Sequence, residues 1–477
     1  MSKPTSKAGQ SLKSEGINLF DFVSPIDYRY CGRDEKIREK LGPYLSEQAF
    51  IRYLTKVEAA LTNTFAERGV CSKEIAQEIE KASRQITAEE VYLEEDRIKH
   101  PIMALVNCIK RRVSGKVRAY VHFTATSMDI ICTAEATRYR DFTNNLLIPK
   151  LLELEKTLIN LARLEKKTVQ IGRTHGQYAE PITFGFAIAQ YVSRLGSRIT
   201  KIRDTANNLR GKIAGAVGAY GALSVFIDDP VEFEQQVLSK LDMKPSPIST
   251  QIVEAEFMTD YVYAIISAFG VLANVADDMR HLQRSEIAEV QEFFGKEQVG
   301  SSTMPQKRNP VSFEMVKSMW KAIMPRIITV YSDQISEHQR DLTNLESSKF
   351  IAEILGVFYV CVSLLKETMS TLAVNKANLK KNFDMGKDLA LAEPAHILLS
   401  AHGHPNAHEH VSKLVSESQK TGKAFAELLF EDKAVEDYLK SFNQKQLSIF
   451  TNPETYIGVA DRKAEDICRY WERKLAL

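Results

Sequence analysis

The sequence predicts an all-α protein in which long helices pack side by side as a bundle. Apolar residues recur every three or four positions over long segments, as at Leu147, Leu151, Leu154, Leu158 and Leu161. This spacing places them on one face of a helix. Segments with the alternating pattern of a β-strand are scarce. Long helices with continuous apolar stripes bury those stripes against one another, which predicts a bundle.

The composition predicts a large soluble protein. The chain has 477 residues, of which 44% are hydrophobic and 26% charged, with a formal net charge of +2. This balance gives no electrostatic reason to expect nucleic acid or a membrane surface as a partner, and no apolar run reaches the ~18 residues of a membrane helix. The six cysteines are scattered without CxxC spacing. They predict reduced thiols in a cytoplasmic protein, with neither a disulfide framework nor a metal site.

The chain divides into four parts by pattern. Residues 1–17 are rich in serine and lysine, without the apolar stretch of a secretory signal, and are predicted to be a disordered tail. Residues 18–124 form a shorter helical region. Residues 125–376 form the central long-helix domain, and residues 377–477 a C-terminal helical domain.

The central region repeats the helical spacing several times. The predicted helices after the first cover residues 188–202, 262–279, 313–331 and 348–372. Because the bundle of one chain leaves apolar stripes uncovered, we expect the chain to form an oligomer through them.

Polar or glycine-rich segments separate these helices. If the helices run up and down, loops at one end of the bundle converge and can build a site. The segments cover residues 126–130, 172–184, 211–222 and 300–310. The glycine run GAVGAYGA in the third lacks the GxGxxG pattern and a preceding strand, so a tight backbone turn is favoured over a phosphate site.

Residues 300–310, GSSTMPQKRNP, have two interpretations. They are either a polar connector or a loop that handles anions. In the second case the amides of Ser301 and Ser302 form an oxyanion pocket after a permissive glycine, and Lys307 and Asn309 bind a carboxylate. A P-loop is excluded, because GK[ST] is absent and no strand precedes the segment.

Histidines supply the candidate acid. His175 lies in a loop bounded by glycine and proline, where an imidazole is either simply solvated or a general acid at neutral pH. Glu314 is a candidate partner that would raise its pKa if the loops converge. His100 and His122 lie near predicted helix ends and are open to a structural or a functional interpretation. The run HGHPNAHEH at 402–410 lacks HExxH and favours a solvated helix start after its proline over a metal site.

Several motifs together resemble one family. GSSTMPQKRNP matches the GSSxMPxKxNP signature of the fumarase/aspartase superfamily. RTHGQYAEPITFG, with TATSMD before it and HQRDLT after it, narrows the resemblance to the adenylosuccinate lyases. Matching segments extend from about Phe20 to about Leu475.

The resemblance implies a fold, an assembly and a reaction. The implied fold has three domains, with a long central helical bundle that assembles into the core of a homotetramer whose active sites are shared among three subunits. The implied reaction is a β-elimination that breaks a C–N bond and releases fumarate. The implied substrates are the nucleotides adenylosuccinate, giving AMP, and SAICAR, giving AICAR, in purine biosynthesis. No cofactor is implied.

The resemblance also implies residue roles. Ser301 corresponds to the general base, His175 to the general acid and Glu314 to its carboxylate partner, while Lys307 assists catalysis by holding a carboxylate. The implied substrate-binding residues are Arg29, Tyr30, His100, His122, Thr126, Ser127, Thr174, Gln251, Ser302, Met304, Asn309, Arg340 and Lys349.

Three positions depart from the family pattern. Pro101 replaces an aspartate, Leu345 a small hydroxyl residue and Lys349 an arginine. The last two positions face ribose and phosphate in the family, and lysine lacks the bidentate fork of arginine. An alternative is therefore a sister lyase, similar to argininosuccinate lyase or carboxymuconate cycloisomerase, that acts on another carboxylate. A catalytically silent relative is disfavoured by the retained acid and base.

Overall fold

The computed structural model describes residues 22–341 and 343–477, and in these ranges the chain is predominantly α-helical. The strands described are short and form three two-stranded sheets. The predicted all-α class is therefore confirmed. The predicted tail, residues 1–17, lies outside the described residues.

The helices begin and end as follows. Those before residue 165 are α1 (Glu35–Leu45), α2 (Glu47–Glu67), α3 (Lys73–Ser83), α4 (Ala88–Ile98), α5 (Pro101–Arg111), α6 (Ser127–Phe142) and α7 (Ile148–Leu164). Those up to Ser370 are α8 (Phe184–Asn207), α9 (Pro230–Ser239), α10 (Ala255–Leu282), α11 (Val311–Ile323), α12 (Arg326–Ser332) and α13 (Ile351–Ser370). The remaining helices are α14 (Lys376–Ala390), α15 (Ala392–Ala401), α16 (Ala407–Thr421), α17 (Phe425–Glu431), α18 (Glu436–Lys440), α19 (Gln444–Thr451) and α20 (Ala460–Leu475).

Short strands and short helical turns precede or separate the α-helices. The strands are β1 (Val169–Thr174), β2 (Gln177–Thr183), β3 (Arg210–Gly211), β4 (Lys244–Pro245), β5 (Val290–Gln291) and β6 (Ala373–Val374). π-Helical turns cover Ile26–Gly32 and Thr143–Leu147, and 3₁₀ turns cover Arg118–Tyr120, Leu223–Val225, Ser347–Phe350 and Pro453–Thr455.

The described residues form two compact units. The first comprises the described residues up to Leu151 together with Arg198–Gly270 and Met319–Ser363. The second comprises Leu152–Ser197, Val271–Ser318 and Leu364–Leu477. The division into a tail and three consecutive domains stays a prediction.

Helix α2 supplies much of the core of the first unit. Ser46 caps its start, where the hydroxyl accepts a hydrogen bond from the Ala49 amide at 3.1 Å. The helix buries Leu61 and Phe65 completely, and the Phe65 ring lies 4.6 Å from that of Phe233 on α9. This packing fixes the buried face of α2, from which Glu58 also projects.

The segment predicted as a loop at 172–184 forms most of a β-hairpin. β1 and β2 pair antiparallel in the second unit, with Thr174 opposite Gln177 and Val169 opposite Thr183. A hairpin of two strands tolerates Pro181, because each strand has an edge that needs no donor. The proline and the polar residues around it concealed the strand from pattern analysis.

The helix predicted at 313–331 is two helices. α11 ends at Ile323 and α12 begins at Arg326, with Pro325 as its N-cap. Proline lacks the amide hydrogen that would continue the helix through this point. The helix predicted at 348–372 begins as a 3₁₀ turn and continues as α13.

The C-terminal helices of the second unit share a separate apolar core. Its fully buried members include Ala395, Leu399, Phe425 and Leu429. α16 begins two residues after Pro405, as predicted. The histidines nearby make ring and ion-pair contacts: the His404 and His410 rings lie 5.2 Å apart, and His410 Nε2 lies 2.7 Å from Asp432 Oδ2.

Two helical segments are long and apolar enough to span a membrane by composition. They are Ala255–Leu282 and Ser347–Ser370, and most of each apolar window is buried within the protein. Core helices of soluble proteins meet the same criterion, so this finding alone is weak support for a membrane span.

Candidate active site

His175 lies at the tip of the hairpin formed by β1 and β2. His175 has φ of 54° and Gly176 has φ of 76°, and these two residues connect Thr174 to its partner Gln177. A two-residue hairpin turn with positive φ at both positions matches the right-handed twist of its strands. The imidazole and the adjacent Thr174 are exposed to solvent.

A buried carboxylate anchors this hairpin. Arg173 Nη2 lies 2.6 Å from Glu289 Oε1, and its Nη1 lies 3.2 Å from Glu289 Oε2. Gln170 and Asn382 donate to the same carboxylate at 2.7 and 2.8 Å. A forked arginine contact fixes direction as well as distance, so Glu289 orients β1, which ends immediately before His175. The sequence analysis did not identify Glu289, because the surrounding segment, IAEV, matches no functional motif.

The 300–310 loop is closed at its base. A Cβ on Gly300 would lie 1.9 Å from the Lys307 carbonyl oxygen, so only glycine fits this approach. Asn309 donates to the Gly300 carbonyl at 3.0 Å, and the Lys307 amide donates to the Met304 carbonyl at 3.0 Å. Ser302, Met304 and Lys307 lie on the exposed part of the loop.

Ser301 occupies a position suited to an anionic oxygen. Its Oγ accepts hydrogen bonds from the amides of Met304 at 3.1 Å and Thr303 at 3.3 Å. Preorganised amides of this kind stabilise negative charge on the atom at which they point. Ser301 itself is half-buried. The two amides therefore favour negative charge on this oxygen.

Glu314 lies in the first turn of α11 and is exposed. The start of that helix is held by Glu292, which accepts from the amides of Phe313 at 2.9 Å and Ser312 at 3.2 Å. Among the described residues, no hydrogen bond or ion pair joins His175 to Glu314 or to Ser301. Their convergence stays a prediction.

In the first unit, Asp129 organises the start of α6. Thr126 is the N-cap and Ser127 the first helical residue, and Asp129 Oδ2 accepts from the Thr126 amide at 2.9 Å. Its Oδ1 pairs with the Lys212 ammonium, and both side chains are fully buried. The same oxygen accepts from the amide of Gly215 at 3.2 Å. Asp129 thus ties the predicted hydroxyl pair to the glycine run.

The glycine run continues this connection to Gln251. Gly215 and Gly218 have φ of 81° and 76°, which confirms the predicted tight turn. A Cβ on Gly218 would lie 1.9 Å from the Ser249 carbonyl oxygen, so the two backbones are in close contact. The Gln251 amide in turn donates to the Gln339 carbonyl at 3.2 Å.

His122 is paired with a buried glutamate. Its Nδ1 lies 2.7 Å from Glu58 Oε1, and Glu58 is fully buried. Burial lowers the pKa of His122, but the charge and hydrogen bond of Glu58 raise it by more, so the net pKa lies above the ordinary imidazole value. The sequence contained no local signal for this pair.

His100 has a structural role in α5. It is the N-cap, and its Nδ1 accepts from the Met103 amide at 3.2 Å while the ring stays exposed. Pro101 occupies the first helical position, where an amide hydrogen has no helical partner. This placement explains how α5 accommodates Pro101 at its start.

The remaining predicted residues lie on turns and helix starts of the first unit. Arg29 is exposed and Tyr30 half-buried in the π-helical turn at Ile26–Gly32. Arg340 has φ of 93° and donates to the Gln334 carbonyl at 3.3 Å. Lys349 Nζ lies 2.8 Å from Glu346 Oε2 and is exposed. Leu345 lines an apolar cavity.

The sequence matches two family models in succession. Residues 28–324 match the model described as a lyase, and residues 336–457 match the model described as the C-terminal domain of adenylosuccinate lyase. The chain is similar to the adenylosuccinate lyase of Archaeoglobus fulgidus (33% identity, 94% of this chain and 98% of the relative). It is also similar to that of Pyrococcus abyssi (34% identity, same coverage).

Other relatives widen the comparison. The N-acetyl-S-(2-succino)cysteine lyase of Enterococcus italicus is 28% identical over 90% of this chain and 93% of the relative. The crystal structure of a fumarate lyase from Mesorhizobium has a TM-score of 0.79 at 22% identity, covering 91% of this chain and 98% of that one. At this identity the likeness concerns the fold.

The helical fold and the serine-bearing loop define a lyase of the fumarase/aspartase superfamily. Within that superfamily, the match to the C-terminal model and the identity to the Archaeoglobus and Pyrococcus enzymes both point to the adenylosuccinate lyases. The chain belongs to the adenylosuccinate lyase family.

Proposed function

We propose that this protein cleaves adenylosuccinate to AMP and fumarate, and SAICAR to AICAR and fumarate, in purine nucleotide biosynthesis. The observation that carries the substrate assignment is the match of residues 336–457 to the adenylosuccinate lyase C-terminal domain, directly after the lyase domain. The geometry of the Ser301 loop supports the reaction class.

In the proposed mechanism, Ser301 removes the proton from the carbon next to a succinyl carboxylate. The two amides that donate to its Oγ lower the cost of forming an alkoxide. The electron pair left on carbon delocalises into the carboxylate, the C–N bond breaks, and His175 protonates the leaving nitrogen. Fumarate and the amino nucleotide are the balanced products.

Charge stabilisation in this mechanism falls to groups around the carboxylates. Lys307, Asn309, Thr126 and Ser127 would hold the succinyl carboxylates as negative charge accumulates on one of them. Lys307 has no side-chain partner among the described residues, which leaves its ammonium available for an anion. Arg29, Tyr30, Arg340 and Lys349 would hold the nucleotide end.

We further propose a cytoplasmic homotetramer whose active sites take residues from three subunits. Support comes from the family resemblance and from exposed apolar side chains, among them Ile328, Tyr331 and Ile335. A shared site would also explain why His175 and Glu314 have no contact within the described chain.

Turnover of adenylosuccinate by the purified protein tests the activity. We expect AMP and fumarate, followed by absorbance. Ser301→Ala and His175→Ala should each lower kcat by about 10²–10⁴-fold, because each removes a proton-transfer group. The matched controls Ser416→Ala and His408→Ala alter exposed residues of α16 and should leave kcat unchanged. Near-normal rates in both site variants would show that the roles are misassigned.

A second candidate is cleavage of a succinylated thiol with release of fumarate. It is favoured by the similarity to the N-acetyl-S-(2-succino)cysteine lyase and by the departures at Leu345 and Lys349. Both substrates should be compared at equal concentration. Fumarate from the succinylated thiol, with none from adenylosuccinate, would replace the first proposal with the second.

A further inference from the structure

We propose that Glu58 is a positioning residue that holds His122 as an imidazolium, so that its second ring nitrogen donates a charged hydrogen bond to an oxyanion of the substrate. The inference rests on the proposed function for the identity of that substrate. The contact itself does not depend on it.

The first argument is the environment of Glu58. The residue lies in the middle of α2 on its buried face, and its side chain has no exposed surface. Oε1 lies 2.7 Å from His122 Nδ1, while Oε2 has no hydrogen-bond partner among the described residues. A buried carboxylate is costly unless an opposite charge compensates it. His122 is the compensating group that the structure provides.

The second argument is the tautomer that this contact imposes. Because Nδ1 faces a carboxylate oxygen, it carries the shared proton, and protonation of Nε2 then completes the imidazolium. Nε2 has no partner among the described residues. The side chain of His122 is 13% exposed, so one edge of the ring remains accessible while the other is buried against Glu58.

The third argument is position. His122 and Thr124 have φ of 62° and 61°, a left-handed backbone conformation that residues other than glycine rarely adopt. Strain of this kind persists where the surrounding structure holds it, commonly at ligand sites. The strained turn leads directly into Thr126 and Ser127 at the start of α6. A helix N-terminus favours anions, and an adjacent imidazolium adds to that preference.

Some of the charged groups around His122 raise its pKa and others lower it. Burial and Lys110 on α5 lower its pKa, whereas Glu58 on α2 and Asp129 on α6 raise it, and the net direction is upward. The imidazolium is therefore retained above the ordinary pKa of about 6.5. The pair stabilises the folded protein below that pH, and the stabilisation is lost as pH rises through the raised pKa.

Histidine NMR tests the pairing without any substrate. The chain has ten histidines, and the His122 resonance is the one missing from His122→Asn. We expect His122 to titrate above 6.5 in the unaltered protein, and at a lower pH in Glu58→Gln, where the charge of Glu58 is removed. The control is Glu155→Gln, a change of another fully buried glutamate on α7, which should leave the His122 titration unchanged. Titration of His122 below 6.5 in the unaltered protein overturns the proposal even if Glu58→Gln fails to fold.

The pH profile of fumarate release separates a positioning role from a merely structural one. We expect the loss of kcat/KM in Glu58→Gln, relative to the unaltered protein, to be larger at pH 8 than at pH 6, since a lower pKa of His122 leaves less of the imidazolium at the higher pH. An equal loss at both pH values would assign Glu58 a structural role only. Absence of turnover in the unaltered protein would count against the proposed function and leave the NMR result standing.

Product inhibition identifies the oxyanion. At pH 8, weaker inhibition of Glu58→Gln by fumarate than of the unaltered protein would assign His122 to a succinyl carboxylate. Weaker inhibition by AMP would assign it to the nucleotide phosphate. If inhibition by both products is unchanged, His122 does not bind an anion and the proposal is overturned.

Discussion

The carboxyl group of Glu155 lies on α7 in the second unit, fully buried, and neither oxygen has a hydrogen-bond partner among the described residues. Burial raises its pKa well above the ordinary glutamate value, because an unpaired charge is unfavourable in an apolar interior. A single residue of this kind makes stability depend on pH. Its folded state binds a proton that the unfolded state releases at lower pH, so stability is lost as pH rises from the unfolded pKa through the raised one.

Glu155→Met is therefore expected to stabilise the protein, and more at pH 8 than at pH 5. The change removes two buried unsatisfied oxygens, and each such group costs about 1–3 kcal/mol. Urea unfolding at the two pH values measures the effect. Glu409→Gln alters an exposed glutamate of α16 and serves as the control with little change expected. Equal or lower stability of Glu155→Met at pH 8 would show that the carboxyl has a favourable partner.

At the scale of elements, one buried ion pair holds two segments of the proposed site. Asp129 belongs to the first turn of α6, and Lys212 directly follows β3 and precedes the glycine run, 83 residues further along the chain. Lys212 also donates to the Gly215 carbonyl at 3.0 Å. Removing one partner of such a pair leaves an uncompensated buried charge, whereas removing both does not.

Asp129→Asn should destabilise the protein by roughly 3–5 kcal/mol because the Lys212 ammonium loses its counter-charge. The double variant Asp129→Asn/Lys212→Met should recover most of that loss in urea unfolding. Arg84→Gln, which breaks an exposed pair with Glu80 on α3, is the control and should have little effect. A double variant no more stable than Asp129→Asn alone would contradict the coupling.

At the scale of the whole molecule, the proposed tetramer makes a prediction about mixed subunits. If Ser301 and His175 of one site come from different subunits, co-expression of Ser301→Ala with His175→Ala produces some sites in which both residues are intact. We expect measurable activity from such mixtures, although each variant alone is nearly inactive.

Native mass spectrometry of the 53.9 kDa chain would establish that mixed tetramers form. A mixture of tagged and untagged Ser301→Ala controls for the effect of assembly alone and should stay inactive. Verified mixed tetramers without activity would place Ser301 and His175 of each site on one subunit.

Local spacing in the sequence determined the helical class, the course of α7, α8 and α10, and the loop that carries Ser301. These features depend on residues three or four positions apart or on a contiguous motif, so they can be predicted from local sequence. The break at Pro325 was missed because the helix period continued across the proline. The β1–β2 hairpin was missed because Pro181 and the polar residues around it obscured the strand pattern.

Tertiary structure alone decided which polar groups far apart in the sequence are paired. Glu58 is 64 residues from His122 and Glu289 is 116 residues from Arg173, and no local pattern indicates either contact. The free energy of burying a carboxylate depends on what faces it after folding. The sequence therefore determined which residues are available for the chemistry. The fold determined that Arg173 and His122 are each held by a buried acid, because a charge in the interior must meet its partner in space rather than along the chain.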